Sequence, residues 1–354
     1  MSKTPLIFKT TDSVSGYAQL ISKTTPILHK YYDCIELPLF NTSPNFVNYE
    51  KLNKNNQSAT ELVIASLPGD PYNTILSSLS CRKNCLLLTM WESTRLTGWH
   101  SRELESFKRI AVPSQWNVNC FNDCGFSNVQ KVNLFVDDTV FMPKPKKDTS
   151  KFVFITGGSY LKDSGNDLRK NLPLITKLFS RAFPSNQETE LWIKVSDKDA
   201  GAIGPFLDKR IKIFNHISDQ KDYADFLCCG DVFISPAKAE GWGFMQIESL
   251  AVGRPIISPT YSGLTEFLNN DNHYPVLFSE KIASGNWGRS GGLWAEINEE
   301  SMIVQMKKAY QEKRQIRSSW KRYSESVLPR FSLANYEKLL ISFIEDKTSP
   351  LINK

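Results

Sequence analysis

Short apolar runs recur along this chain, separated by polar stretches or by segments with helical spacing. In the first half, PLIFK (5–9), ELVIASLP (61–68), CLLLTMW (85–91), RIAVPS (109–114) and VQKVNLFV (129–136) read as strands. SGYAQLISKTTPIL follows the first of them as a glycine-containing loop that runs into a helix, and QWNVNCFNDCGF predicts a short helix ended by Gly125. This alternation of strand and helix predicts a parallel, doubly wound α/β sheet.

A second series of the same kind begins near residue 151. FVFITGG (152–158), ELWIKVS (190–196), RIKIFNH (210–216), DVFISP (231–236), PIISP (255–259) and YPVLF (274–278) are its strands. LRKNLPLITKLFSRAF (168–183) and DYADFLCCG (222–230) are its helices, together with FMQIESLAVG, which stops at Gly253. Between the two series, Pro143 and Pro145 stand among Lys144, Lys146 and Lys147, a break in pattern that predicts a hinge at about 142–150. The expected domains are therefore 1–145 and 151–330. A final helix over 331–347 carries Phe331, Leu333, Tyr336, Leu339, Leu340 and Phe343 at helical spacing. In open sheets of this type ligands bind beyond the carboxyl ends of the strands, so two such sheets predict a site in a cleft between them.

Composition narrows the class of protein only a little. With 354 residues, 41% of them hydrophobic, the chain can bury two cores. No apolar run approaches the roughly 20 residues of a membrane span, and MSKTPLIFKTTDS lacks a signal-peptide core. A cytoplasmic protein is expected, and a peripheral contact with the membrane's cytoplasmic face is compatible with the charge. Of the seven cysteines, an odd count, six fall in C-x3-C pairs (Cys81/Cys85, Cys120/Cys124) or side by side (Cys228/Cys229), without metal-ligand spacing, and all read as free thiols. Asn41 and Asn56 begin N-x-S triplets that have no meaning without secretion. The net charge of +6 suits an anionic ligand. Lys307, Lys308, Lys313, Arg314, Arg317, Lys321 and Arg322 decorate a polar helical stretch, and no nucleic-acid-binding module accompanies them.

The most informative segment is SPAKAEGWGFMQIESLAVGRPIISPTYSGLTEFL, 235–268. Glu240 and Glu248 flank seven residues, with Gly241 and Gly243 just after the first carboxylate. The strand ending at Pro236 and the helix beginning near Phe244 place Glu240 and the glycines at a strand-to-helix turn. Such a turn offers free backbone N–H groups and the positive end of a helix dipole to an anion, and glycine permits close approach. Carboxylates beside it suit the hydroxyls of a sugar or ribose. The pattern fits a sugar nucleotide.

These residues resemble the retaining glycosyltransferases of the GT-B fold, family 4 and its close relatives. The strongest match is EGWGF with Glu240 and Glu248, followed by ESLAVGRPIISP and SGLTEF. TMWE, LTGWHSRELESFKRIAVPSQWN and the later GF (89–126) are similar to the acceptor-domain signature of that group. LRKNLPLITKLFSRAF is similar to the segment that begins the donor domain's first helix, and FSLANYEKLL to the terminal helix that crosses back to the first domain. The resemblance implies two Rossmann-like domains facing across a cleft, the first acceptor-side and the second binding the donor. It also implies transfer of a sugar from a nucleoside diphosphate sugar to a hydroxyl on a glycan, a lipid-linked sugar or another acceptor. No metal or other cofactor is expected.

The chemistry needs positive charge where the diphosphate leaves. Lys170, Arg169, Lys194 and the N–H groups of Gly241, Trp242, Gly243 and Phe244 are the candidates, Lys170 opening a helix and Lys194 ending a strand. Relatives often carry an Arg soon after the first donor-domain strand, where this chain has GGSY (157–160). Glu248 is expected to accept ribose hydroxyls and Glu240 to contact the donor sugar. Gly16 and Tyr17 sit where the fold places a glycine loop near the diphosphate, and Glu92 is expected to orient the acceptor hydroxyl. Glu266 is a weaker candidate that equally suits a helix start. His100, Trp91, Trp99 and Trp116 read first as packing residues. Two carboxylates also suit a glycosidase, but both would lie in one donor-binding turn. A non-catalytic sugar-nucleotide-binding protein, and an epimerase or phosphorylase of the same fold, remain alternatives.

Overall fold

The computed structural model describes residues 6–10, 16–32, 34–38, 61–65, 85–146, 148, 150–160, 169–203, 206–215, 217 and 219–346. Pro5, Asn41, Asn56, Cys81, Lys147 and Leu168 lie outside them. The chain divides into two compact units. The first comprises 1–91, 95–134 and 334–354, the second 92–94 and 135–333.

The first unit is built on a six-stranded parallel sheet. Its strands are β1 (Leu6–Thr10), β2 (Cys34–Pro38), β3 (Glu61–Ala65), β4 (Cys85–Leu88), β5 (Arg109–Val112) and β6 (Val129–Lys131), in the order β2-β1-β3-β4-β5-β6. All four residues of β4 are buried, as a parallel strand covered on both faces requires. Helices α1 (Gly16–Tyr31), α2 (Gly98–Leu104) and α3 (Gln115–Asp123) connect the strands. Thr97 and Ser114 cap the last two by accepting the N–H groups of His100 and Asn117. Gly125, at φ 94°, ends the turn after α3 as its sequence suggests.

Alternation in the second half gives a second six-stranded parallel sheet. It contains β7 (Phe152–Gly157), β8 (Thr189–Lys194), β9 (Ile211–Phe214), β10 (Val232–Ile234), β11 (Ile256–Ser258) and β12 (His273–Pro275), in the order β12-β11-β10-β7-β8-β9. The order reverses at β7. The chain first adds β8 and β9 on one side, then returns to lay β10, β11 and β12 on the other. Helices α4 (Leu172–Ala182), α5 (Asp197–Ala202), α6 (Gln220–Cys228), α7 (Phe244–Ala251) and α8 (Glu299–Gln311) belong to this unit, followed by the short α9 (Lys313–Ser318), α10 (Trp320–Glu325) and α11 (Leu328–Phe331). Leu172, Ile175, Leu178, Phe179 and Ala182 form the buried stripe of α4. They share one core with Phe154 and Leu191 of the sheet and with Met302 and Met306 of α8.

Three sequence expectations change. First, α4 starts at Leu172: Asn171 before it is left-handed (φ 52°) and Pro173 occupies the first turn, so Arg169 and Lys170 precede the helix. Second, YPVLF does not act as one strand. Tyr274 lies in β12, whereas Phe278 begins β13 (Phe278–Ile282), which pairs antiparallel with β14 (Leu293–Ile297) in a separate hairpin. Third, the lysine-rich segment is anchored. Lys146 and Arg317 both reach the buried carboxylate of Asp231, with Arg317 Nε 2.7 Å from Oδ1, and the Val153 N–H donates to it at 2.8 Å. Burial pushes the Lys146 amine down and Asp231 only partly restores it.

The last helix, α12 (Leu333–Ile344), packs in the first unit. The buried Tyr336 hydroxyl lies 2.7 Å from Thr24 Oγ1 on α1. Arg109 of β5 closes the helix end by donating to the Ile344 carbonyl at 3.0 Å and pairing with Asp346 at 2.8 Å.

Candidate functional site

The candidate site lies in the second unit, at the carboxyl ends of β7 and β10, where the strand order reverses. Glycine lets the backbone crowd here. A Cβ on Gly157 would fall 2.3 Å from Met245 Cε and 3.0 Å from the Lys194 carbonyl, and Gly158 adopts φ 138°. Opposite, Gly243 (φ 97°) precedes α7, and a Cβ there would meet Leu264 Cδ2 at 2.4 Å. The first backbone bond of α7 runs from the Ile247 N–H to the Gly243 carbonyl. The N–H groups of Phe244, Met245 and Gln246 are therefore free of helix partners.

Glu240 sits at the centre. Only 4% exposed, it receives Lys170 Nζ at 2.7 and 2.8 Å on its two carboxylate oxygens, Arg169 Nη1 at 3.2 Å and Gln246 Nε2 at 3.3 Å. Burial alone would raise the carboxyl pKa, but the Lys170 and Arg169 charges outweigh it and hold Glu240 below the usual carboxylate range. Its backbone is fixed on both sides. The Glu240 N–H donates to Ser262 Oγ at 2.8 Å, and its carbonyl accepts the Gly263 N–H at 2.9 Å. Ser262 is left-handed (φ 57°), and a Cβ on Gly263 would lie 2.3 Å from the Gly241 carbonyl. Arg169 is held equally firmly: its carbonyl accepts the Lys238 N–H at 2.8 Å and Nη1 donates to the Ala239 carbonyl at 2.8 Å. Its Nε lies 3.0 Å from Glu92 Oε2.

A second polar group forms beside α7. Glu248 is 2% exposed, on a helix whose residues are almost all buried, deeper than a helix-surface acid would be. Lys194 ends β8 with its ammonium 5.4 Å from the Tyr223 ring centroid. Burial lowers the Lys194 pKa and the Glu248 charge opposes that shift. The Tyr223 hydroxyl is pushed up by burial and again by Glu248.

No protein-family model and no curated protein matches the sequence. Solved structures do match. Sucrose-phosphate synthase from Thermosynechococcus elongatus superposes with a TM-score of 0.71, over 97% of this chain and 99% of that one, at 10% identity. The lipopolysaccharide outer core galactosyltransferase WaaB gives 0.63 over 98% and 99%, at 13% identity. The chain has the GT-B fold. TarM of S. aureus, in a complex with fondaparinux, alpha-GlcNAc-glycerol and UDP, gives 0.61 at 13% identity over 83% of this chain. The chain spans 57% of the length of that TarM structure. At these identities the likeness is one of fold.

In this GT-B chain, Glu240, Lys170, Arg169 and Glu92 come together, and Lys194 gathers with Glu248. Trp242 and Phe244 are placed differently from ligand-facing side chains. Trp242 is 1% exposed and packs edge-to-face on Phe267 and Phe331, while Phe244 packs on Phe135. What they and Gly241 can offer an anion is backbone. Gly16 lies in the first unit at the start of α1, beside Tyr17, whose hydroxyl donates to the Met90 carbonyl at 3.0 Å. His100 is a packing residue edge-on to Trp91 and Trp99, its pKa lowered to about 4 by burial. Glu266 ends a 3-10 turn, and its carbonyl accepts from Arg330 at 3.4 Å.

Sequence reading missed Gln246, Ser262 and Ser235. Gln246 donates to both Glu240 and Ser235 Oγ, the latter at 2.8 Å. The signal for Ser262 was its neighbour: Gly263 in SGLTEF marks a close backbone approach, to which the segment's acid drew attention instead. Among the described residues no group of three or more His, Cys, Asp or Glu could hold a metal ion, and no helix is long and apolar enough to cross a membrane.

Proposed function

We propose that this GT-B chain is a retaining glycosyltransferase that moves a sugar from a nucleoside diphosphate sugar to a hydroxyl of a carbohydrate or lipid-linked acceptor. The observation that carries the reading is the clamp of Lys170 and Arg169 on buried Glu240, beside the N-terminus of α7. Breaking the anomeric C–O bond builds negative charge on the departing diphosphate. Lys170, Arg169 and the free N–H groups of Phe244, Met245 and Gln246 supply fixed positive charge of the kind that stabilises it most.

Glu240 stays ionised and accepts hydrogen bonds from the donor sugar's hydroxyls, replacing those it receives from Lys170. Glu248 accepts both ribose hydroxyls, and Lys194 lies within its field. The acceptor attacks from the face of the leaving group, and a diphosphate oxygen takes its proton. No protein nucleophile is required. Structures similar in fold support the donor class: TarM was solved with UDP, and pneumococcal GtfA with UDP and GlcNAc.

The retaining step is tested by proton NMR of the first sugar product formed from an α-linked donor. An α-linked product, or α-sugar when water is the acceptor, is expected. A β-anomer formed first contradicts front-face transfer.

A further inference from the structure

The hairpin β13–β14 belongs to neither six-stranded sheet, and all five residues of β13 are exposed. Its inner edge grips residues 92–94. The Trp294 indole N–H donates to the Glu92 carbonyl, Ser93 Oγ donates to the Trp287 carbonyl at 3.2 Å, and the Leu293 N–H donates to Thr94 Oγ1 at 2.8 Å. The approach is close enough that a Cβ on Gly292 would fall 2.0 Å from Ser93 Oγ. The same strand reaches the Glu240 loop, with the Ala295 N–H donating to the Lys238 carbonyl at 3.0 Å and Glu296 pairing with Lys238 at 3.0 Å. One strand therefore sets the distance between Glu92 and the loop that carries Glu240. The result is an alternating series: Glu92 on Arg169 Nε, Glu240 on Arg169 Nη1 and Glu240 on Lys170.

We propose that Glu92, held by Trp294, is a counter-charge that weakens the site's grip on a bare nucleoside diphosphate relative to the intact donor. This rests on the glycosyltransferase reading and deepens it. Two cations face two carboxylates, so an arriving diphosphate must draw Arg169 and Lys170 from partners they already have. The intact donor compensates Glu240 with sugar hydroxyls. The bare diphosphate cannot, and its terminal phosphate, no longer esterified, carries a further negative charge. In a partly buried site a fixed carboxylate penalises that extra charge more than it penalises the donor, which is specificity by an unfavourable contact. Glu92 so placed hastens product departure. Trp294 is a positioning residue that acts through Glu92.

Binding is measured by calorimetry with UDP, GDP and ADP and with UDP-glucose, GDP-mannose and ADP-glucose, on the native chain, Glu92→Gln and Trp294→Phe. For the pair the native chain binds, Glu92→Gln is expected to tighten the diphosphate about 10-fold and the nucleotide sugar less than about 3-fold. Trp294→Phe should shift the same ratio in the same direction by a smaller factor, and product inhibition should strengthen in both. Unchanged or weaker diphosphate binding in Glu92→Gln, with only turnover reduced, overturns the proposal in favour of an acceptor role. If the native chain binds none of the six compounds, the glycosyltransferase reading itself falls, and this proposal with it.

Discussion

Lys170 spans both carboxylate oxygens of Glu240, at 2.7 and 2.8 Å, although three of the second sheet's six strands separate the two residues in sequence. The contact depends on local backbone on both sides. Left-handed Asn171 turns the chain so that Lys170 leaves the helix axis, and left-handed Ser262 takes the Glu240 N–H. Glu240 is buried and Lys170 about a quarter exposed, so the pair joins an interior carboxylate to a cation that solvent can reach, as the proposed donor site requires.

Replacing Lys170 by Met leaves Glu240 buried with less compensation. A loss of about 2 kcal/mol in unfolding free energy is expected, below the usual range for a broken buried pair because the lysine is partly solvated. Turnover of the donor should fall about 100-fold. Urea titration and steady-state rates check the two together.

Ser262 separates stability from function. Ser262→Gly relieves a left-handed backbone by about 1 kcal/mol while losing a hydrogen bond of similar worth, so its stability should stay near native. Ser262→Ala loses the bond and keeps the strain, and should be about 1 kcal/mol less stable. Both should raise the donor KM several-fold, because both release the Glu240 main chain. A native KM in either variant removes Ser262 from the site's support.

Asp231 tests the anchoring of the lysine-rich segment. Its buried carboxylate meets Lys146, Arg317 and the Val153 N–H. Asp231→Asn strands two cations and should cost about 3 kcal/mol. Limited proteolysis should then cut near residues 142–150. A variant as stable and as resistant as the native chain would mean that the segment is held by other contacts.

His273 sets a pH dependence. Burial lowers its pKa from 6.5 to about 4, partly opposed by its bond to the Ser258 carbonyl at 2.8 Å. Below pH 6.5 the unfolded chain takes up a proton that the folded chain refuses. Stability is therefore intact above the unfolded pKa and falls as pH drops towards 4, by about 2 kcal/mol at pH 5. His273→Asn should flatten that part of the profile in denaturant titrations at pH 5 and pH 7. An unaltered slope would assign the acid sensitivity elsewhere.

The sheets were legible because buried parallel strands are apolar runs, and the EGWGF turn because glycine and carboxylate stand together where strand becomes helix. Glu92 was legible as a residue but not in its company. Nothing near it predicts that residues 92–94 join the second unit, because the bonds that hold them come from Trp287, Leu293 and Trp294, about 200 positions away. The packing of Trp242 was hidden for a related reason: its ring lies against Phe267 and Phe331, residues that only the tertiary fold brings near. The hairpin was hidden because β13, exposed throughout, has no buried face to impose an alternating pattern.

Glu240, with Lys170 and Arg169, is proposed to form the donor site of a sugar transferase. The decisive measurement is nucleotide release from a panel of nucleoside diphosphate sugars, followed in parallel for the native chain, Glu240→Ala and Lys170→Ala. Release from at least one donor by the native chain is expected, reduced about 100-fold or more in both variants while they remain folded. Equal release by all three folded proteins, or none by the native chain with any donor and acceptor, would contradict it.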